Sequence, residues 1–149
     1  MKKIEEKLIS VFKEGYCTPQ IAKLVKKLKE AGSTIHYNIK KLETEGKIKT
    51  YKAVFDYEKI NENFCAYLLI NLNPDEYGNP ERISEEFSKY KEIESIDIIS
   101  GDWEILMKVR TKNKEEYYEF VKNTISRKGI QKIKTLISLK QIKTEFVKL

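Results

Sequence analysis

The sequence lacks any hydrophobic run long enough to cross a membrane. Hydrophobic residues make up 40% of its 149 residues, but no stretch approaches the roughly 18 apolar residues of a membrane-spanning helix. Residues 1–7 include acidic side chains and lead into no apolar segment of the kind found in secretory signal peptides. We therefore expect a globular protein with a hydrophobic core, located in the cytoplasm.

Side chains that bind metals or form catalytic sets are also scarce. The sequence has two cysteines, Cys17 and Cys65, and one histidine, His36. These are too few for a typical metal site, and cytosolic cysteines are normally reduced, so both are expected to be small buried hydrophobes. No phosphate-cradling glycine loop and no nucleophile–histidine–carboxylate set is present. We expect no enzyme activity, metal or cofactor.

Positive charge is distributed unevenly along the chain, whose net charge is +6. Residues 1–52 hold 13 lysines and 6 acidic residues, whereas residues 53–149 hold 16 basic and 17 acidic residues. All of the excess positive charge therefore lies in the first third of the chain. This segregation indicates a module that faces a polyanion, although a lysine-rich solvated surface would give the same count.

A polar stretch, residues 56–63, is the predicted linker between two domains, residues 1–55 and 64–149. In the first domain, apolar residues recur at helical spacing and predict three helices. The dipeptide Thr18-Pro19 favours the start of the second helix, because a hydroxyl can cap it and proline fits its first turn. The basic segment 47–55 has a strand-like composition. Three helices followed by a basic strand are typical of a winged helix-turn-helix.

The second domain alternates strands and helices in the order β-α-β-β-α-β. Its predicted strands span residues 64–72, 93–99, 103–110 and 130–142, and Asn79-Pro80 and Asn113 are predicted to cap its two helices. Alternation along residues 103–110 places Arg110 on the polar side of that strand. This order predicts an α+β protein with a C-terminal ferredoxin-like domain. The first strand is apolar on both sides, yet the pattern supplies helices for only one face of the sheet. A second sheet from a partner subunit is the simplest cover, so we expect an obligate homodimer.

The third predicted helix carries most of the residues expected to contact DNA. With Ile35 at the centre of its buried face, Ser33, Tyr37 and Lys40 lie on the opposite face at about 100° per residue. Small hydrogen-bonding groups followed by positive charge are typical of a recognition helix. The predicted DNA-binding residues are Ser33, Thr34, His36, Tyr37, Lys40 and Lys41 on the helix, and Lys47 and Lys49 on the wing. The lysines are expected to contact phosphates.

Each of these residues also has an ordinary structural explanation. Lysines on a helix usually form a solvated face, and Tyr37 could pack on a neighbouring helix. Asn38, beside the buried face, could cap or bridge the helices, and His36 is expected to make a polar contact rather than act as a base. The agreement of helix geometry, charge segregation and the basic wing favours DNA binding.

Four segments carry a family resemblance: STIHYNIKKLETEGKIKTY at 33–51, DYEKI at 56–60, SGDWE at 100–104 and GIQKIKTLISL at 129–139. In that order they resemble the recognition helix and wing, the linker, the Gly-Asp-Tyr-Asp effector turn and the final strand of the Lrp/AsnC (leucine-responsive, feast/famine) regulators. Archaeal members are the most similar. The resemblance spans nearly the whole chain.

The resemblance implies a C-terminal effector and dimerisation domain of the RAM type, and homodimers that often assemble into tetramers or octamers. It also implies an amino acid or related metabolite bound at the interface between dimers. The positions that would line or border that pocket are Gly101, Asp102, Trp103, Glu104 and Thr135. An acidic side chain and backbone N–H groups suit the ammonium and carboxylate of such a ligand. The alternative is that Ser100-Gly101-Asp102 is only a hairpin turn.

The sequence departs from the family pattern at three places. The first helix reads IEEKL at residues 4–8 and lacks the acidic Leu-Asp-x-x-Asp start. Asn38 stands where many members have arginine, which removes an expected phosphate contact. Trp103 replaces the common tyrosine and would crowd a small pocket. The last two departures bear on DNA affinity and ligand identity rather than on the fold.

The sequence as a whole predicts a sequence-specific regulator whose dimer places two recognition helices in successive major grooves of a pseudo-palindromic operator. Two other classes of function stay open. One is an architectural protein that coats DNA or RNA with little sequence preference, which the specificity ratio would distinguish. The other is an enzyme or metabolite-binding subunit that uses the ferredoxin-like half, and the absence of a catalytic set counts against it.

Overall fold

The structure is a computed structural model that describes residues 3–76, 79–126 and 129–143. The chain divides into two compact units, Met1–Val54 and Phe55–Leu149. The predicted linker, residues 56–63, falls within the second unit, and the end of the predicted second domain, residues 144–149, lies outside the described residues. Across the described ranges, no helix is both long and apolar enough to span a bilayer.

The first unit contains three helices: α1 (Lys3–Lys13), α2 (Ile21–Leu28) and α3 (Gly32–Thr44). The chain turns after α1 at Gly15, whose φ of +92° suits glycine, and a Cβ there would lie 2.5 Å from the Thr50 hydroxyl. Ile35 of α3 is 6% exposed and forms the buried centre of the unit. Leu42 of the same helix remains 37% exposed.

Two local predictions for this unit are wrong. Thr18 does not cap α2, because the first helical hydrogen bonds run to the carbonyl of Gln20 and the helix begins at Ile21. Residues 47–55 do not form a strand: Tyr51 makes an isolated parallel bridge with Tyr16, and no strand extends that bridge within residues 3–63. A strand needs a continuous ladder of partners, which a composition rich in lysine and β-branched residues cannot supply alone.

The second unit follows the predicted order of strands and helices. Its elements are β1 (Phe64–Leu72), a short 3-10 turn (Pro74–Glu76), α4 (Pro80–Phe87), β2 (Ile93–Ile98), β3 (Ile105–Thr111), α5 (Lys114–Phe120) with a π-helical turn (Val121–Ile125), and β4 (Ile130–Ile137). All strand pairs are antiparallel and form one four-stranded sheet in the order β2-β3-β1-β4. The α+β class and the βαββαβ order are confirmed.

The helices cover one face of this sheet and enclose the hydrophobic core. The alternating residues Ala66, Leu68 and Ile70 of β1 are fully buried there, as are Ile105, Met107 and Val109 of β3, against Ile83 and Phe87 of α4 and Ile125. Asn79 and Asn113 accept hydrogen bonds from backbone N–H groups at the starts of α4 and α5. Both predicted helix caps are therefore confirmed.

The opposite face of the sheet, called the open face below, has no helix among the described residues. Its members follow from the register, since Tyr67 pairs with Lys108 and Leu136, and Leu69 pairs with Leu106 and Lys134. Tyr67, Leu69 and Leu106 are half-buried, and Leu136 is 45% exposed. This face therefore presents apolar side chains among lysines.

Arg110, predicted on the polar side of β3, is instead buried at one end of the open face. Its guanidinium lies 3.5 Å from the centre of the Tyr57 ring and pairs with the carboxylate of Glu94. It also donates to Gln141 Oε1 at 2.6 Å and to the Glu62 carbonyl at 3.2 Å. A polar position became buried because residues before β1 and after β4 fold over it.

Candidate nucleic-acid interface and effector turn

The candidate nucleic-acid interface is the outer surface of α3 with the basic segment that follows it. Ser33, Thr34, His36, Tyr37, Lys40 and Lys41 are all exposed on α3, and Lys47 and Lys49 are exposed after it. Tyr37, 69% exposed, stands opposite the buried Ile35. The structure thus places the eight residues on the solvent side of the first unit.

The start of α3 is open to a ligand. Its N-cap residue, Ala31, has no side chain that can accept a hydrogen bond from the first backbone N–H groups. The turn from α2 is tight, with Lys29 in the left-handed region at φ 57°. Asn38 donates to the Thr34 carbonyl at 2.8 Å, so its amide bridges two turns of α3 itself. Uncapped N–H groups at a helix start suit a phosphate.

Carboxylates neutralise three of the four lysines on this surface. Lys40 pairs with Glu43 at 2.8 Å, and Glu45 lies 3.8 Å from Lys41 and 2.6 Å from Lys47. The hydrogen bond to Lys40 holds the pKa of Glu43 below its ordinary value, and the same bond raises the pKa of Lys40. Phosphates must therefore compete with Glu43 and Glu45 for these ammonium groups.

Glu43 also ties α3 to the basic segment. The Tyr51 hydroxyl donates to Glu43 Oε1 at 3.1 Å. Partial burial, followed by the bond to Glu43, raises the pKa of Tyr51. Since Tyr51 also forms the bridge to Tyr16, it fixes the segment that carries Lys47 and Lys49 beside the end of α3.

The candidate effector turn connects β2 to β3. Gly101 adopts φ +117° and is exposed, and a Cβ at this position would meet no atom within 4 Å among the described residues. The Asp102 carbonyl accepts from Asn71 Nδ2 at 2.6 Å. Glu104 Oε2 accepts from the Leu72 N–H at 2.9 Å and from Asn71 Nδ2 at 3.2 Å. The turn is thereby bonded to the end of β1.

Trp103 and Thr135 lie in different surroundings. The Lys132 ammonium stands 5.6 Å from the centre of the Trp103 ring, so the structure brings a cation beside the turn. Thr135 pairs with Leu68 in the sheet, and its hydroxyl lies 2.7 Å from that of Tyr117 on α5. The structure therefore brings Asp102, Trp103 and Glu104 together with Asn71 and Lys132, and bonds Thr135 to the helix-covered side.

Sequence reasoning missed the partners of the turn. Asn71 is the one amide in the otherwise apolar sequence FCAYLLINL of β1. A polar residue near the end of such a strand indicates a specific hydrogen-bond partner. This signal could have identified Asn71 as a residue that contacts the turn. Lys132 carried no comparable signal, because lysines are frequent throughout the chain.

Within the ranges that the structure describes, the cysteines and acidic residues form no metal site. No group of three or more His, Cys, Asp or Glu residues suited to a metal occurs in those ranges. Cys65 is buried, as predicted, and burial raises the pKa of its thiol. Cys17 is only half-buried, with Sγ 3.8 Å from the Phe12 carbonyl, so the expectation of a buried side chain is wrong there.

Comparison with known proteins shows one family throughout. The Lrp/AsnC ligand binding domain matches residues 65–147. An uncharacterized HTH-type transcriptional regulator of Pyrococcus abyssi is 31% identical over 146 residues, which is 97% of each chain. The HTH-type transcriptional regulator FL11 of Pyrococcus furiosus is 32% identical over 137 residues, 92% of this chain and 88% of that protein.

Solved structures show the same fold. An AsnC family transcriptional regulator from Agrobacterium tumefaciens superposes with a TM-score of 0.73 at 25% identity, over 96% of this chain and 93% of that one. A transcriptional regulator from Neisseria meningitidis, crystallised as an L-Met complex, has a TM-score of 0.68 at 21% identity. The match covers 96% of this chain and 92% of that one. AsnC of E. coli has a TM-score of 0.71 at 17% identity, over 99% of this chain and 97% of that one.

Proposed function

The chain belongs to the Lrp/AsnC family of transcriptional regulators, and on that premise we propose that it is a sequence-specific, homodimeric DNA-binding protein acting in the cytoplasm. The observation that carries the proposal is the surface of α3. Polar side chains and lysines cover its outer face, while Ile35 anchors its inner face. Relatives of similar length are named HTH-type transcriptional regulators.

The DNA-binding module is residues 1–55, a winged helix-turn-helix in which α3 enters the major groove. Ser33, Thr34, His36 and Tyr37 reach base edges or phosphates, and Lys40 and Lys41 contact the backbone. The segment with Lys47 and Lys49 acts as the wing without forming a strand, held by Tyr51. Residues 56–63 connect this module to the effector domain, residues 64–149.

The dimer forms through the open face of the sheet. Tyr67, Leu69, Leu106 and Leu136 leave an apolar surface there that a second copy of the same face can cover. A two-fold axis through this surface presents two recognition helices to a pseudo-palindromic operator. Tetramers or octamers form from such dimers.

The effector is an amino acid or a related metabolite, bound at the turn between β2 and β3. Gly101, Asp102, Trp103 and Glu104 line or border this site, whereas Thr135, bonded to Tyr117 on the helix-covered side, stays outside this set. Asp102 suits a ligand ammonium, and the nearby Lys132 suits a ligand carboxylate. The family match to a ligand binding domain over residues 65–147 supports this assignment. Methionine is the first ligand to test, because the Neisseria regulator is an L-Met complex.

Selection from a random-sequence duplex library by the purified protein tests the proposed function. We expect enrichment of a pseudo-palindrome whose half-site centres lie about 10 base pairs, or a multiple, apart. Retention of DNA without an enriched sequence would instead favour an architectural coat. Absence of retention at low salt would contradict DNA binding altogether.

A further inference from the structure

We propose that Tyr57 and Arg110 set the permitted spacing between DNA half-sites, because they fasten the segment that follows each DNA-binding module to the sheet. This inference rests on the proposed function. It concerns the residues immediately after the first unit, which ends at Val54. Tyr57 and Arg110 act as positioning residues, and neither needs to touch DNA.

The anchor is a buried stack with several hydrogen bonds. The Arg110 guanidinium lies 3.5 Å from the centre of the Tyr57 ring, and both residues are buried. Glu94 pairs with the same guanidinium, and with Lys108 at 2.8 Å. Arg110 also donates to the Glu62 carbonyl at 3.2 Å. Both ends of the segment 57–62 are therefore fastened to β3 through one side chain.

The segment itself is folded rather than extended. The Glu62 N–H donates to the Tyr57 carbonyl at 2.9 Å, and the Lys59 N–H donates to the Asp56 carbonyl at 3.1 Å. Asp56 and Lys59 form an ion pair at 3.3 Å, and Asn61 adopts φ 58°. These contacts define a compact turn that does not act as a free tether.

The length of chain left free is the decisive quantity. Only Phe55 and Asp56 lie between Val54 and the anchored Tyr57. Asp56 is itself bonded to Lys59, and even a fully flexible tether of two residues would span only about 8 Å, whereas the nine residues 55–63, if released, span about 17 Å. Each base pair adds about 3.4 Å and turns the next half-site around the helix axis. The anchored protein therefore tolerates little change in spacing, and the released one tolerates several base pairs.

The test measures binding to duplexes that carry two half-sites selected by the wild-type protein, with their separation changed by up to 6 base pairs. For the wild type we expect affinity to fall by roughly 30-fold or more when about 4 base pairs are inserted. For Tyr57→Ala we expect a fall of less than about 3-fold, since a longer tether lowers the effective concentration of the second module only slowly. Affinity for a single half-site should be equal in both.

Matched variants separate anchoring from folding. Tyr57→Phe keeps the ring against Arg110 and should keep the narrow spacing profile. A four-residue Gly-Ser insertion after Asp56, made in the wild type, should broaden the profile as Tyr57→Ala does. Circular dichroism and gel filtration establish that each variant is folded and has the wild-type oligomeric state. Arg110→Ala is a second variant that removes the anchor, and it is informative when circular dichroism and gel filtration show that it is folded with the wild-type oligomeric state.

The outcomes are distinct. A Tyr57→Ala profile as narrow as the wild type, with the insertion variant broad, would overturn the proposal. A narrow profile for the insertion variant would overturn it too, because tether length would then not control spacing. Failure of the wild type to select any DNA would instead refute the proposed function, on which this inference rests.

Discussion

At the scale of single residues, charge pairing governs the proposed DNA surface. Lys40, Lys41 and Lys47 each lie within 4 Å of a glutamate carboxylate, although all three lysines are more than half exposed. Exposed ion pairs contribute little to folding stability. Their effect belongs instead to binding, because a lysine that contacts a phosphate must leave its carboxylate in the negative field of the DNA.

Substitution Glu43→Gln should therefore strengthen DNA binding. We expect affinity for random duplex to rise by about 3- to 10-fold near 0.1 M salt, with a steeper salt dependence as Lys40 becomes free to replace a counterion. Fluorescence anisotropy over a series of salt concentrations measures both. The control Glu6→Gln makes the same change of charge on α1 and should alter affinity less. An equal effect of both variants would show that net charge alone is responsible.

Glu94 predicts how stability depends on pH. Burial alone would raise its pKa, but hydrogen bonds and charges from Arg110 and Lys108 outweigh burial and hold the pKa below its ordinary value. A carboxylate whose pKa is depressed in the folded state stabilises the protein above its unfolded pKa of about 4.3 and loses that effect as pH falls through the folded pKa. Urea unfolding between pH 7 and pH 3 should show this loss, and Glu94→Gln should reduce it. If the unfolding free energy of the variant fell as steeply with decreasing pH as that of the wild type, Glu94 would not be the responsible group.

At the scale of secondary-structure elements, the two asparagine caps of the second unit were predicted correctly, whereas the Thr18 cap of α2 was not. The Asn113 side chain accepts from the Glu116 N–H at 2.8 Å, as its position before α5 indicated. Replacing Asn113 with alanine should cost about 1 kcal/mol of unfolding free energy, because one backbone donor loses its acceptor. Asn113→Asp should retain most of that stability. Urea denaturation of both variants is the measurement, and equal stability of the alanine variant and wild type would refute the cap.

Elements that depend on distant partners were predicted less well. The last strand was expected to run to Ile142 but ends at Ile137, which pairs with Ala66. Because β1 begins at Phe64, few of its residues remain to pair with β4 beyond Ile137. A strand continues only as far as its neighbouring strand provides hydrogen-bond partners. The prediction of a strand at residues 47–55 was wrong for the same reason, because among the described residues this segment pairs as a strand does only at the bridge between Tyr51 and Tyr16.

The candidate sites show the same limit of sequence reasoning. Helical periodicity placed Ile35 inward and Tyr37 outward, since both positions follow from local geometry. The neighbours of Arg110 come from positions 57, 62, 94 and 141, which only the complete fold brings together. No local pattern marks such a cluster. Alternation along β3 therefore predicted correctly on which face of the sheet Arg110 lies, but it did not predict that the side chain is buried.

At the scale of the whole molecule, the open face of the sheet is the proposed dimer interface. Leu69 lies near its centre, paired with Leu106 and Lys134. Leu69→Lys places a further charge there and should convert the dimer to a monomer over the micromolar range, because an unpaired charge is costly to bury at an interface. Sedimentation equilibrium measures this. Tyr118→Lys, on the exposed side of α5, is the control and should stay dimeric. A dimeric Leu69→Lys variant would show that the sheets do not form the interface.

Two halves of opposite character account for the proposed activity of the whole chain. The basic first third carries the proposed DNA surface, and the nearly neutral remainder carries the proposed dimer interface and ligand site. If the ligand changes how dimers associate, it changes how many recognition helices are linked, and linked sites bind more strongly than separate ones. In this account, the proposed anchor at Tyr57 fixes the spacing that each dimer recognises.

The most direct test of sequence-specific DNA binding is the ratio of affinities for the selected operator and for random duplex of equal length, measured at several salt concentrations. We predict a ratio of about 10³ or more for the wild type. Tyr37→Ala combined with Lys40→Ala should lower that ratio at least tenfold, since Tyr37 is the proposed base contact while Lys40 would add only phosphate affinity. A ratio near one for the wild type, or no effect of the double substitution, would contradict the assignment of α3 as the recognition helix.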